Sequence, residues 1–397
     1  MASLREMRIV DVDTHYTEPG DLWTSRAPSK FKDKVLHTRR DDAGKDGWYI
    51  DGHAVAPIGP AVIDRNNNKV PGITNLKSFD DMTLAATTTS ERLKLMDRLG
   101  VTSQIIYPNV IGFGASRLMD LSEDLELRQW HVTAYNDAIS ALQKETNGRL
   151  RPQAVLPFWD IDESIKELER CREKLGLSGL AMTSAPQDFG QPALADEKWD
   201  RFWAACQALD VPVNFHIGTN SLEPVIGDYW GSKTLYREDG SQNGALASFL
   251  SASLFLANFR QVVNLILTKM LDRYPRLKFV SVESGVGWVP FIIRSLEYSF
   301  EDMMTAEERR SYKSTPREYM RNHIYTSYWF ENERAVKTYV EEFGADNLMF
   351  ETDFPHPQAL HPGVREKIEE TLGSFDSETQ AKILFKNAER LYGAAGV

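Results

Sequence analysis

Residues 11–19 read DVDTHYTEP and follow the apolar entry RIV. Read as a strand, this stretch puts Asp11, Asp13 and His15 on one face, because side chains alternate with period two. A buried strand normally spends such positions on Val or Ile. Three ionisable groups in a row on a buried face need partners or a metal ion. Glu18 adds a further carboxylate just beyond the strand.

Similar residues stand at the ends of other apolar runs. VNFHIG ends in His216, FVSVESG carries Glu283, and LMFETDFPHP carries Asp353, with Glu351 two before it and His356 three after. The donors are oxygen and imidazole, without thiolate. The two cysteines, Cys171 and Cys206, lie in helix-like stretches, and no CxxC motif occurs. A Cys-rich zinc site is therefore excluded, and a disulfide framework is not expected.

The elements that must position these residues alternate in type. Eight strand-like runs are separated by helix-like ones: RIVDVDTH, VTSQIIYP, RPQAVLPFW, LSGLAMTS, VPVNFHIG, LKFVSVESG, HIYTSYW and LMFETDFP. Strand alternating with helix predicts a parallel sheet with helical crossovers, and eight units predict a (β/α)8 TIM-type barrel. An open doubly wound sheet is the alternative. Its Gly-rich turn after the first strand is missing. The ionisable residues then fall on one rim, the C-terminal mouth, where barrel active sites are built. Residues 20–85 and 218–244 break the repeat. Both follow strands, so both are expected as cap segments at that mouth, with 1–397 forming a single domain.

This set of strand ends resembles the amidohydrolase superfamily. The closer resemblance is to the branch that includes aminocarboxymuconate semialdehyde decarboxylase, and it runs from residue 8 to the C-terminal NAERLYG. It implies a metal-dependent barrel. Asp11 matches the leading Asp of the family's opening motif, His15 the second ligand of that motif, His216 the strand-five ligand and Asp353 the strand-eight Asp. Asp13 stands where that motif has a His, and Glu283 stands where a strand-six His is usual. GLAMTS lacks the lysine that bridges two metals in some members.

The candidate metal ligands are Asp13, His15, Glu18, His216, Glu283 and Asp353. Their four carboxylates exceed the charge of one divalent ion and match two. The expectation is a centre of two divalent transition metals bridged by Glu18 or Glu283. Iron or manganese is favoured, with zinc also compatible. The alternative is one metal on Asp13, His15, His216 and Asp353. A metal pair activates water, so the expected chemistry is hydrolysis of an ester, thioester, amide or lactone carbonyl. Asp353 would take the proton from the water, and His356 would stabilise an oxyanion or protonate a leaving group. The alternative chemistry is metal-dependent nonoxidative decarboxylation of an aromatic or unsaturated acid, and a silent binding protein is a third class. Trp23, Tyr107, Asn109, Trp230 and Trp329 are candidates for lining a pocket that takes a bulky or aromatic small molecule.

A net charge of −11, from 46 Lys and Arg against 57 Asp and Glu, argues against a nucleic-acid or anionic-membrane partner. The N-terminus has no apolar signal-like run, so a cytoplasmic location is expected. The uncharged stretch 240–259 contains Gln242, Asn243 and Asn258 and reads as a buried helix, not a membrane span. One helix is expected over 247–273. Its apolar residues cover more than one face, which suggests a two-fold homodimer.

Overall fold

The computed structural model describes residues 3–219 and 244–393. Strand β1 (Ile9–His15) opens the barrel. Three short strands follow in the first insertion: β2 (His37–Arg40), β3 (Asp46–Ile50) and β4 (His53–Pro57). The barrel resumes with β5 (Val101–Tyr107), β6 (Leu150–Pro152), β7 (Leu180–Ala181), β8 (Val213–His216), β9 (Phe279–Val282), β10 (Ile324–Tyr328) and β11 (Leu348–Phe350). These are the eight runs anticipated from sequence, now shorter at their ends.

All barrel pairings are parallel. Ladders run β1-β5-β6 and β7-β8-β9-β10-β11. Isolated bridges join the two sets, Ala154 to Leu180 on one side and Thr14 to Phe354 on the other, and close the cylinder. The fold is the (β/α)8 barrel. Neighbouring residues within a strand feed different apolar clusters. Phe279 and Leu348 join one, Val280 and Met349 the other. This is the pattern of a parallel sheet covered on both faces.

Two polar knots hold the cylinder. Asp11 accepts hydrogen bonds from the Thr352 backbone N–H (2.9 Å), the Thr352 hydroxyl (2.7 Å) and the Gln104 amide (3.1 Å). It thereby staples β1 to β5 and to the end of β11. Tyr392, at the end of the C-terminal helix, donates to Asn214 (2.6 Å), whose amide donates to Gln153 (2.9 Å) and to the Leu180 carbonyl (3.0 Å). Burial of these groups is tolerable because each finds a partner.

In the first insertion, β2, β3 and β4 form a small antiparallel sheet. The segment after it bonds to the loop beyond β11: Val62 N–H donates to the Pro355 carbonyl (3.0 Å) and Lys69 to the Ala359 carbonyl (2.6 Å). Of the second insertion, residues 220–243 lie outside the described residues.

The single helix expected over 247–273 is corrected. The chain forms helices Gly244–Phe255, Phe259–Leu267 and Met270–Arg273. The first break falls at Asn258, whose buried amide donates to the Phe215 carbonyl (2.8 Å), the Ser281 hydroxyl (3.2 Å) and the Val282 carbonyl (3.2 Å). The second falls at Lys269, which takes a left-handed conformation (φ 58°). Residues 244–267 are long and apolar enough to cross a membrane, yet the Asn258 bonds tie this run to the ends of β8 and β9.

Gly114, in the loop after β5, lies against the end of β7. A Cβ there would come 2.4 Å from the Thr183 nitrogen and 2.7 Å from the Met182 carbonyl carbon. Backbone cannot yield as a flexible side chain does, so Gly114→Ala is expected to destabilise the fold by about 1–3 kcal/mol. Thermal denaturation reads this directly, and an unchanged Tm would contradict the packing.

Candidate metal centre

Apart from Glu18, each candidate ligand is delivered by a strand end. β1 carries Asp13 and His15, β8 ends in His216, and Glu283 and Asp353 follow β9 and β11. Barrel closure does the rest. Asp353 N–H donates to the Asp13 carbonyl (2.9 Å), and His15 N–H donates to the Phe354 carbonyl (2.8 Å). Residues 340 positions apart in the chain are thus adjacent strand neighbours.

The result is a tight buried cluster. His15 Nε2 lies 3.6 Å from Asp13 Oδ1, 3.5 Å from Asp353 Oδ1 and 3.3 Å from His216 Nε2. His216 Nε2 lies 3.6 Å from Asp13 Oδ1 and 3.4 Å from Glu283 Oε2. His216 Nδ1 donates to the Ile217 carbonyl (2.7 Å), so in the neutral imidazole that a cation would bind, Nε2 carries the electron pair facing His15. Both oxygens of Asp13 and of Asp353 are buried without a hydrogen-bond partner among the described residues. Donor atoms bound at about 2.1 Å to one ion stand roughly 3.0–3.4 Å apart. The spacing, the orphaned oxygens and the opposed imidazole nitrogens all fit a divalent cation. Asp13, His15, His216 and Asp353 are the residues that would hold it.

Electrostatics point the same way. Burial, and then mutual repulsion, raises Glu283, Glu351 and Asp353 well above the ordinary carboxylate range. Burial also raises Asp13, against the pull of His216. Burial opposes charge on His216, but Asp13 and Glu283 beside it raise its pKa overall. His15 is pushed down, by burial first and then by His356 and His216. Glu283 and Asp353 also sit in the left-handed backbone region, at φ 54° and 56°. That conformation costs a non-glycine residue about 1–2 kcal/mol, and such strain concentrates at functional sites.

Not every expected residue joins the cluster. Glu18 stands apart, for a physical reason. Its carboxylate accepts from the Asn109 backbone (2.7 Å), the Val110 backbone (3.3 Å) and the Asn109 amide (3.3 Å), and so braces the turn after β5. His356 does join: its ring stacks on His15 at 3.5 Å, and its Nδ1 lies 3.2 Å from Asp353 Oδ1. Tyr107 stands 5.1 Å from the His216 ring, and Asn109 bonds to His356. Trp23 is instead core of the first insertion, packed edge-on against Trp48 and donating to the His131 carbonyl (3.2 Å). Trp329 is buried against Phe255 and Phe330, its indole N–H on the Gln358 carbonyl (3.1 Å). Trp230 lies outside the described residues.

Two further neighbours, Phe113 and Glu351, complete the surroundings. Phe113 covers the imidazoles, 3.9 Å from the His216 ring and 5.3 Å from His15. Glu351 lies behind Glu283, accepting from the Ser327 hydroxyl and from the Glu283 N–H (3.5 Å). Period two with Asp353 was the available signal for Glu351.

The raised carboxylates make a metal-linked pH dependence. A group whose pKa is higher in the folded chain stabilises below its unfolded value, here 3.8 for Asp and 4.5 for Glu, and that stability is lost as pH rises through the folded value. Chelator-stripped protein should therefore lose Tm as pH rises from about 5 to 8, and added manganese(II) should restore it increasingly over the same window. A manganese increment that is flat or shrinking with pH would refute this.

A curated relative, the gamma-resorcylate decarboxylase of Polaromonas sp. strain JS666, is 27% identical over 316 residues, covering 76% of this chain and 86% of that one. The crystal structure of a dihydroxybenzoic acid decarboxylase from Polaromonas sp. JS666, with bound manganese and the inhibitor 2-nitroresorcinol, superposes with a TM-score of 0.64 at 18% identity over 98% of each chain. The 5-carboxyvanillate decarboxylase of Sphingomonas paucimobilis gives 0.63 at 19% identity over 97% of this chain and 99% of that one. These relatives overturn the hydrolase expected from the carboxylate count, because they are decarboxylases built on the same barrel. The family model described as amidohydrolase matches residues 10–394, and the chain therefore belongs to the amidohydrolase family that its strand-end motifs resemble.

Proposed function

We propose that this protein is a metal-dependent nonoxidative decarboxylase acting on a hydroxylated aromatic acid. The observation that carries the reading is the Glu283 carboxyl. It is buried, its Oε2 lies 3.4 Å from His216 Nε2, and burial together with Asp353 favours its protonated form. That is an acid held at the edge of the cation site. The relatives supply the reaction class, and the aromatic walls at Phe113 and Tyr107 suit a planar ring.

One divalent cation on Asp13, His15, His216 and Asp353 is favoured over the expected pair. Those four residues share a single set of short separations, and Glu18 is committed elsewhere. Manganese is the metal of the dihydroxybenzoate relative, and oxygen-rich ligation suits it. When bound, the cation supplies positive charge that draws the substrate's oxygens into an otherwise acidic pocket. Glu283 then gives its proton to the ring carbon that bears the carboxylate. The bond from that carbon to the carboxylate breaks, its electron pair returns to the ring, and carbon dioxide leaves. Glu283 recovers a proton from solvent. Phe113 covers the imidazoles against water.

Turnover of a hydroxybenzoic acid in deuterated, oxygen-18 water should release carbon dioxide and leave one deuterium on the ring, with no solvent oxygen in the product. Solvent oxygen in the product without carbon dioxide would sink the proposal. Glu283→Gln should lower kcat by about 10²–10⁴-fold while metal content stays constant. Elemental analysis should find one transition-metal ion per chain, and two would restore the binuclear reading.

We further propose a two-fold homodimer. Phe291, Tyr298 and Met303 are 72%, 70% and 79% exposed on the helix Val289–Met303, a large apolar surface for one helix. Light scattering at micromolar concentration should give twice the chain mass, and a monomer mass would contradict it.

A further inference from the structure

Asn109 connects the metal cluster to a carboxylate that does not belong to it. Its amide nitrogen faces the Tyr16 carbonyl (3.2 Å) and Glu18 Oε2 (3.3 Å). A backbone carbonyl only accepts, and an ionised carboxylate only accepts, so both require the NH₂ end of the amide. The amide oxygen is therefore turned the other way, onto His356 Nε2 at 2.9 Å. An amide oxygen cannot donate. The hydrogen in that contact must come from His356 Nε2.

Glu18 is equally constrained. Its Oε1 is held by the backbone N–H groups of Asn109 and Val110, so the carboxylate cannot swing away. Glu18, Asn109 and His356 are all buried, at 3%, 7% and 4% exposure, and water does not compete freely for these bonds. A neutral imidazole has one N–H. With the hydrogen on Nε2, the electron pair is on Nδ1, which lies 3.2 Å from Asp353 Oδ1 over the ring of His15. The ligating atoms of His15, Asp353 and His356 lie within 4.8 Å of one another. The same logic operates at His216, where a carbonyl on Nδ1 presents Nε2. A polar partner on one ring nitrogen selecting the other for a metal is the usual outer-layer device of metal sites.

We propose that Glu18 and Asn109 are positioning residues that hold His356 as its Nε2–H tautomer, and that His356 Nδ1 is thereby a further electron-pair donor to the cation on the Asp353 side of the cluster. This accounts for a carboxylate in the opening motif that touches no metal-ligating atom, and for an asparagine buried between two loops. The inference rests on the cluster holding a divalent cation and on no particular substrate.

The test reads the tautomer itself. Protein labelled with nitrogen-15 histidine and loaded with zinc, a diamagnetic probe, is measured by long-range proton–nitrogen correlation, and His356 is assigned by the signals lost in His356→Gln. Nε2 protonated and Nδ1 unprotonated is the expected result. An Nδ1–H signal in zinc-loaded protein would overturn the proposal, and so would an Nδ1 shift unchanged by zinc. Failure of zinc to bind at all would instead strike the metal reading beneath it. Asn109→Leu, which removes the acceptor at similar volume, should mix the tautomers and weaken zinc affinity by roughly 10–100-fold. Asn109→Leu with unaltered tautomer and affinity would show that the contact is packing alone.

Discussion

The closure of β1 against β11 is the constraint on which the site depends. It is made by few bonds, among them Asp353 N–H to the Asp13 carbonyl and His15 N–H to the Phe354 carbonyl. They place two carboxylates side by side away from water, with Glu283 and Glu351 close behind. Like charges in a low-dielectric setting repel strongly, and each also loses its hydration. Among the described residues no arginine or lysine forms an ion pair with them. Lys69 donates to a backbone carbonyl, and Arg92 reaches the His15 carbonyl from behind the strand. The cluster is coherent only as a receptacle for protons or a cation.

The rest of the barrel serves that placement. Asp11 spends its carboxylate on Thr352 and Gln104, and so fixes β1 in register one step below the ligands. Burial pushes Asp11 itself up to about 7, with its hydrogen bonds opposing the shift. Asn258 breaks a helix to bind the ends of β8 and β9, where His216 and Glu283 emerge. Glu283 and Asp353, both in the left-handed backbone region, set their carboxyl groups beside His216 and His15. Of the six ligands expected from sequence, Glu18 is bonded to the turn after β5, while Asp13, His15, His216, Glu283 and Asp353 come together at the mouth.

The change from hydrolase to decarboxylase has a simple cause. Counting carboxylates suggested two metals, and two metals suggested activated water. Charge count is not coordination. Glu18 is committed to the backbone N–H groups of Asn109 and Val110, away from the cluster. A buried carboxylate can also stay protonated, and Glu283 in that state is an acid. In the proposed function the same residues deliver a proton to carbon, and the relatives are decarboxylases by name.

Local pattern carried the fold. Eight apolar runs separated by helical periods specify a parallel barrel, because period and connection length are properties of short segments. Asp13, His15, His216, Glu283 and Asp353 were legible for the same reason: each is a polar residue ending an apolar strand. Tertiary structure alone decided which polar atoms meet. Glu18 and Asp353 look alike in sequence, both acidic and one or two residues before a proline. One folds onto the N–H groups of Asn109 and Val110, the other into the gap beside Asp13. Trp23 and Phe113 are both aromatics in loops after strands, yet one is core and the other covers the imidazoles. Composition and spacing determine which groups reach the barrel mouth. Their partners, and hence their charge and chemistry, depend on distances of 3–4 Å between residues hundreds of positions apart, which only the closed barrel sets.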